Sequence, residues 1–218
     1  MALRLPPFVP LPAPSGPDAL IEVRLSDLQP TQMCVGMAEI RSRQSDFADD
    51  SAEERRRYLR HKPTPLVRSG AGELWMVDRH HRLRALLELD PSATACGYVA
   101  LQLEVSERRA ALEALHQRGW LYLYDGRGHG PLSPQALPRS LADTQDDPYR
   151  SLVWKLKREG VIAAAPLIPF HEFRWGAWLR SRTLPPFSSD RLDPALPAAR
   201  ALARSRAASH MAGWQGPG

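Results

Sequence analysis

Asp78-Arg79-His80-His81-Arg82 sets a carboxylate, two imidazoles and two guanidinium groups side by side in the chain. Guanidinium groups hold phosphate oxygens through charge-assisted, often bidentate hydrogen bonds. Imidazoles donate to such oxygens or shuttle a proton near neutral pH. Asp78 can cap a helix, hold a metal or act as an acid or base. From composition alone, a wet first helical turn capped by Asp78 stands equally beside the catalytic reading. Adjacent histidines point in different directions on a helix and lack the HxxxH spacing of a helical zinc site. Magnesium, which takes few protein ligands and shares phosphate oxygens, fits Asp78 better.

The flanking residues predict how that run is presented. Glu73-Leu74-Trp75-Met76-Val77 is a core strand, and Leu83, Leu86, Leu87 and Leu89 give the following helix an apolar stripe that Asp90-Pro91 ends. A strand that turns tightly into a helix aims unpaired backbone N–H groups outward, an arrangement suited to phosphate. Upstream, Ile21–Leu25 alternates like a half-buried strand, and Arg41–Asp50 is a polar stretch. Ser51 and Glu54 form a capping box opening a helix whose Arg55, Arg56, Arg57 and Arg60 read as a solvated face. Thr64–Val67 is a short strand, Ser69–Gly72 a turn, Gly97–Val105 a strand and Ser106–Gln117 a helix. Tyr124–Pro138 is loop, exposing Asp125, Arg127 and His129.

Asp147-Pro148 starts a helix as N-cap and first residue, and Gly160 closes it. Arg150 reads as part of a capped packing helix rather than of a cleft. Another helix spans His171–Arg180, and Trp154, Trp175 and Trp178 are expected in the core. The chain therefore divides into a Pro-rich arm (1–20), a core (21–118), a loop and helical extension (119–180) and a Pro-, Ala- and Arg-rich tail (181–218) of linker and weak basic helix.

The totals exclude little. With 218 residues, 43% of them hydrophobic, the chain can bury one substantial core. A net charge of +5 suits phosphorylated ligands or nucleic acid without selecting either. Cys34 and Cys96, without CxxC spacing, encode neither a disulfide framework nor a thiolate zinc site, and both are expected as buried small residues. Five prolines break the opening apolar stretch, and no run approaches the roughly 18 apolar residues of a membrane span, so a cytoplasmic protein without membrane partners is expected.

Trp75–Leu86 resembles the strand-turn-helix box of the ParB/sulfiredoxin superfamily, in the DGHHR form found in its free-serine kinases, with Arg79 standing where the glycine usually is. Leu28–Gln32, Val35-Gly36-Met37, Asp147–Leu152 and Glu172–Trp175 resemble the extended family called ParB-like putative nucleases, over Ile21 to Arg180. The resemblance implies an α+β fold: a compact mixed sheet with packed helices and a helical C-terminal extension. It further implies a nucleotide-phosphate site, with ATP or ADP and Mg2+ as cofactors, a small hydroxyl substrate such as serine, and phosphoryl transfer or hydrolysis. Asp78, His80 and His81 would be catalytic, with Asp78 on the metal and Glu39 as base. Thr31, Gln32, Arg79, His81 and Arg82 would bind phosphate. The alternatives are a nuclease or DNA-binding module and a noncatalytic ligand-binding protein. His80 replaces the sulfiredoxin cysteine, which removes that chemistry.

Overall fold

The computed structural model describes residues 3–217, so Met1, Ala2 and Gly218, at the outer ends of the expected arm and tail, lie outside the description. In chain order the strands and helices are β1 (Ile21–Arg24), β2 (Leu28–Pro30), β3 (Cys34–Val35), α1 (Met37–Asp49), α2 (Ala52–His61), β4 (Thr64–Arg68) and β5 (Leu74–Met76). They continue as α3 (His80–Leu89), β6 (Thr94–Gln102), α4 (Arg108–Gln117), β7 (Gln145–Asp146), α5 (Pro148–Arg158), α6 (His171–Arg180) and α7 (Leu196–Arg204). The main sheet has the order β1-β6-β4-β5-β2, and β3 pairs with β7 separately. Parallel pairs (β2/β5, β4/β6) and antiparallel ones (β1/β6, β4/β5) coexist, so the fold is the expected mixed α+β type.

The central strands are apolar on both faces, as a sheet covered on both sides requires. Leu66 and Met76 point into a core shared with Ile40, Phe47, Leu83 and Leu86, whereas their neighbours Val67 and Trp75 enter a second core with Leu112 and Leu115 of α4. A third core joins α5, α6 and α7 through Leu152, Leu156, Trp175 and Leu196. Helix α7 lies in the segment expected as linker and weak basic helix, and it packs Leu196, Ala199 and Ala203 into that core.

Several local signals correspond closely to what forms. Both halves of the Ser51/Glu54 capping box are made. Asp147 Oδ1 accepts from the Tyr149 and Arg150 N–H groups, with Pro148 behind it. Three expectations need correction. The polar stretch from Arg41 belongs to helix α1, which Ile40 and Phe47 anchor at a seven-residue spacing too sparse to mark amphipathicity. Trp154 is half-buried beneath Arg158 rather than in the core, and Cys96 is only partly buried.

Candidate functional site

Because β2 and β5 run parallel and adjacent, their C-terminal ends deliver Thr31 and the Asp78–Arg82 turn to one edge of the sheet. Thr31 Oγ1 donates to the Met76 carbonyl at 2.9 Å, which ties the two strand ends together. Helices α1 and α3 pack on each other, as do α1 and α5, and α5 and α6. Their N-termini therefore converge on a cleft of about 260 Å³. Gln32, Glu39, Asp78, Arg79, His80, His81, Arg82 and Arg150 line it, along with Arg43, Phe170, Glu172 and Phe173. The expected site residues are thus brought together, Thr31 lying behind His80.

Both histidines are locked in one tautomer. The Thr31 N–H donates to His80 Nε2 at 3.0 Å, and the Gly36 N–H donates to His81 Nε2 at 2.9 Å. A backbone amide can only donate, so each Nε2 carries a lone pair and each neutral ring holds its proton on Nδ1. Burial lowers the His80 pKa to about 4, against the pull of Asp78, and burial together with Arg150 lowers that of His81 to about 3. At neutral pH the rings are uncharged Nδ1–H donors. Gly36 is required for the second bond: a Cβ there would sit 2.9 Å from the Ser151 nitrogen, where α1 meets α5.

Glu39 and Arg150 form a buried ion pair of 2.7 Å, each side chain only 7% exposed. Arg43 holds the other Glu39 oxygen through Nε at 2.9 Å and Nη2 at 2.6 Å. Burial works against the Glu39 charge, yet His81, Arg150 and Arg43 hold its carboxyl well below the usual range. Glu172 is similar: burial opposes its ionisation, but Arg150 and its ion pair with Lys157 lower the pKa to about 2. Asp78 is the carboxylate left at the rim. Its side chain is 50% exposed, with Oδ1 accepting from the Arg79 N–H and Oδ2 facing Arg79 Nη1 at 3.1 Å.

Against these carboxylates stands a set of donors without partners. Arg79 Nε, His80 Nδ1, Arg82 Nε and Arg150 Nε and Nη1 are all buried and unpaired, and Gln32 Oε1 is an unpaired acceptor beside them. Such a concentration in one cleft is costly unless something polar enters it. Arg79 and Phe170 are the non-glycine residues with positive φ among those described, at 75° and 54°. Each is the N-cap of its helix, α3 and α6, and neither helix has a side-chain cap. Two uncapped N-termini thus face the same space, where an anion would be favoured.

The left-handed backbone at Arg79 is the physical reason a glycine suits that position. Arg79→Gly is expected to hold or raise stability by up to about 1 kcal/mol, read from the urea midpoint. A clear loss of stability would show that the arginine side chain itself supports the turn.

Arg150, Arg43, Glu172, Phe170 and Phe173 are the cleft residues that the sequence left unassigned to a site. Arg43 could have been found from its four-residue spacing to Glu39. Arg150 follows Asp147 by three residues, so its helical position was legible, but its aim depends on how α5 packs. Among the described residues, no group of three or more His, Cys, Asp or Glu side chains could hold a metal ion, and no helix is long and apolar enough to cross a membrane.

The family model described as "Putative ParB-like nuclease" matches residues 21–181. No curated protein matches the chain. The crystal structure of protein Atu1540 from Agrobacterium tumefaciens is similar, with a TM-score of 0.78 and 28% identity, over 90% of this chain and 98% of that one. The site therefore sits on the parallel strand ends of a ParB-like domain, and the chain belongs to the ParB-like family that this model describes.

Proposed function

We propose that the cleft binds the phosphate groups of a nucleotide and positions a phosphoryl group for transfer to a small hydroxyl compound or to water. The observation that carries this reading is the convergence of unpartnered donors on Arg79, His80, Arg82 and Arg150 with the uncapped N-termini of α3 and α6. Neutral imidazole Nδ1–H groups and guanidinium forks would donate to phosphoryl oxygens as these gather charge, and they need no proton transfer to act. Glu39 is a weak base in this arrangement, so its role is to position Arg150. Asp78, half-exposed at the rim and held there by Arg79, would be the carboxylate that orients or deprotonates a hydroxyl.

Magnesium fits only in the manner of a shared ion. Asp78 would hold it together with the nucleotide's own oxygens, and its chemistry there is neutralisation of phosphate charge. Gln32 and Thr31 complete the wall, Thr31 by fixing the His80 ring.

Calorimetry on the folded protein with ATP, ADP, CTP and pyrophosphate, with and without Mg2+, tests the reading. Binding is expected, and His81→Gln, which preserves an acceptor for the Gly36 N–H, should weaken it about tenfold. Asp78→Ala should remove the magnesium dependence. No heat with any of these ligands would sink the proposal. The family description favours a second reading, a phosphodiesterase on nucleic acid, and Arg55, Arg56 and Arg60 lining a hollow on α2 supply cationic surface for it. That reading requires steeply salt-dependent binding and metal-dependent cutting of plasmid or single-stranded DNA.

A further inference from the structure

The Pro-rich arm is pinned to the domain by its main chain. The Arg4 N–H donates to Tyr124 Oη at 2.7 Å, and the Val9 N–H donates to the Arg118 carbonyl at 2.9 Å. In the other direction, Trp120 Nε1 donates to the Val9 carbonyl at 2.7 Å and Tyr98 Oη to the Pro12 carbonyl at 2.9 Å. None of these bonds needs a side chain of the arm. The arm also crosses Gly119, which follows α4 and has a φ of 69°. A Cβ there would lie 2.5 Å from the Pro7 carbonyl oxygen, so position 119 leaves the room that the arm occupies.

One side chain of the arm reaches the wall of the phosphate cleft. Phe8 meets the Phe170 ring edge-on, with centroids 6.4 Å apart. Phe170 lines the cleft and is the N-cap of α6, held at φ 54°. Positive φ is unfavourable for an aromatic residue and persists only where the surroundings over-determine it. Tyr122 at 5.5 Å and Phe173 at 6.4 Å confine the Phe170 ring from within the domain, and Phe8 confines it from the arm. Phe8 is half-buried, so its contact can come away while the cores beneath stay packed.

We propose that the arm is a strap that regulates the phosphate cleft. Docked, it holds Phe170 in the left-handed conformation and so fixes the first turn of α6 beside the anion. Released, it lets that turn relax, and anion affinity falls. The inference rests on the phosphate reading of the cleft and adds the control of that site. Such coupling is reciprocal, so an anion in the cleft also tightens the strap.

Pyrophosphate is the probe, titrated by calorimetry into the full chain. Phe8→Ala, which leaves the main-chain bonds of the arm in place, is expected to weaken binding about fivefold, and Phe8→Tyr to leave it unchanged. Gly119→Ala, which drives Pro7 off the domain, should weaken it at least as much. Its control is Gly160→Ala, just past α5 at a φ of 70° with open space around the added carbon. That variant carries the same backbone strain without touching the arm and should bind normally. On the unaltered protein, saturating pyrophosphate should slow hydrogen exchange at the Val9 amide about fivefold, an effect that a merely structural Phe8 would not produce. Unchanged affinity in folded Phe8→Ala and Gly119→Ala protein would overturn the strap. So would Val9 exchange indifferent to bound pyrophosphate, a result that needs no variant to fold. Pyrophosphate that fails to bind the unaltered protein overturns the phosphate reading and the strap together, whereas binding without coupling removes the strap alone.

Discussion

Arg150→Ala is expected to cost about 3 kcal/mol of stability and to abolish measurable phosphate binding. Removing one member of a buried ion pair leaves the other charge desolvated, a loss of about 3–5 kcal/mol, and the lower end applies because Arg43 still holds one Glu39 oxygen. The Arg150 guanidinium also closes on the Phe173 ring at 5.7 Å, so truncation removes packing as well as charge. Two further variants separate folding from function. The Glu39→Gln, Arg150→Met double variant should recover most of the stability lost by Arg150→Ala, since no buried charge is left over from the pair, while binding stays absent. Arg150→Lys should keep the fold and the charge yet bind pyrophosphate at least tenfold more weakly, because the fork geometry is lost. Urea denaturation combined with calorimetry reads both. Strictly additive effects of the Glu39 and Arg150 substitutions would contradict the coupling argued for this pair.

A loss of about 4 kcal/mol between pH 7.5 and pH 5 is expected from His80 and His81 alone. Their folded pKa values, about 4 and about 3, lie below the unfolded value near 6.5. The unfolded chain therefore takes up protons first as pH falls. The stabilising contribution is complete above about pH 6.5 and drains away on the acid side, by about 2 kcal/mol per ring at pH 5. The carboxylates with depressed pKa values, Glu39 and Glu172, act in a lower window: their contribution holds above about pH 4.5 and is lost only as pH falls through their folded values. Between pH 6.5 and pH 5 the histidines are thus read separately from these two groups. Urea midpoints at half-unit intervals should trace this decline, and His80→Gln with His81→Gln should flatten it. An unchanged slope in the double variant would mean that the rings are hydrated and titrate normally.

Legibility in the sequence followed the range of the interactions concerned. Asp78–Arg82 between an apolar strand and a leucine-striped helix, the Ser51/Glu54 capping box and the Asp147-Pro148 start are all fixed by groups within a few residues of each other. Their chemistry can be read off the chain because backbone geometry alone brings them together. The mixed α+β class followed from the same local patterns. Helix α1 was less legible, since its apolar anchors Ile40 and Phe47 are few and its remaining surface is polar. The apolar stripe of α7 gains its meaning from α5 and α6, which supply the surface it covers.

The character of the site was decided only in three dimensions. Sequence identified His80 and His81 as groups able to move protons, but backbone amides at Thr31 and Gly36, more than forty residues away, make them fixed donors. Sequence offered Glu39 as a base, whereas Arg150, 111 residues later, binds its carboxylate in a buried pair and lowers its basicity. The Asp78–Arg82 turn was determined by local sequence as an anion-directed strand-to-helix junction. Its protonation states, its partners and the convergence of further helix N-termini upon it were set by long-range packing, because desolvation and charge proximity depend on what surrounds a residue rather than on what precedes it.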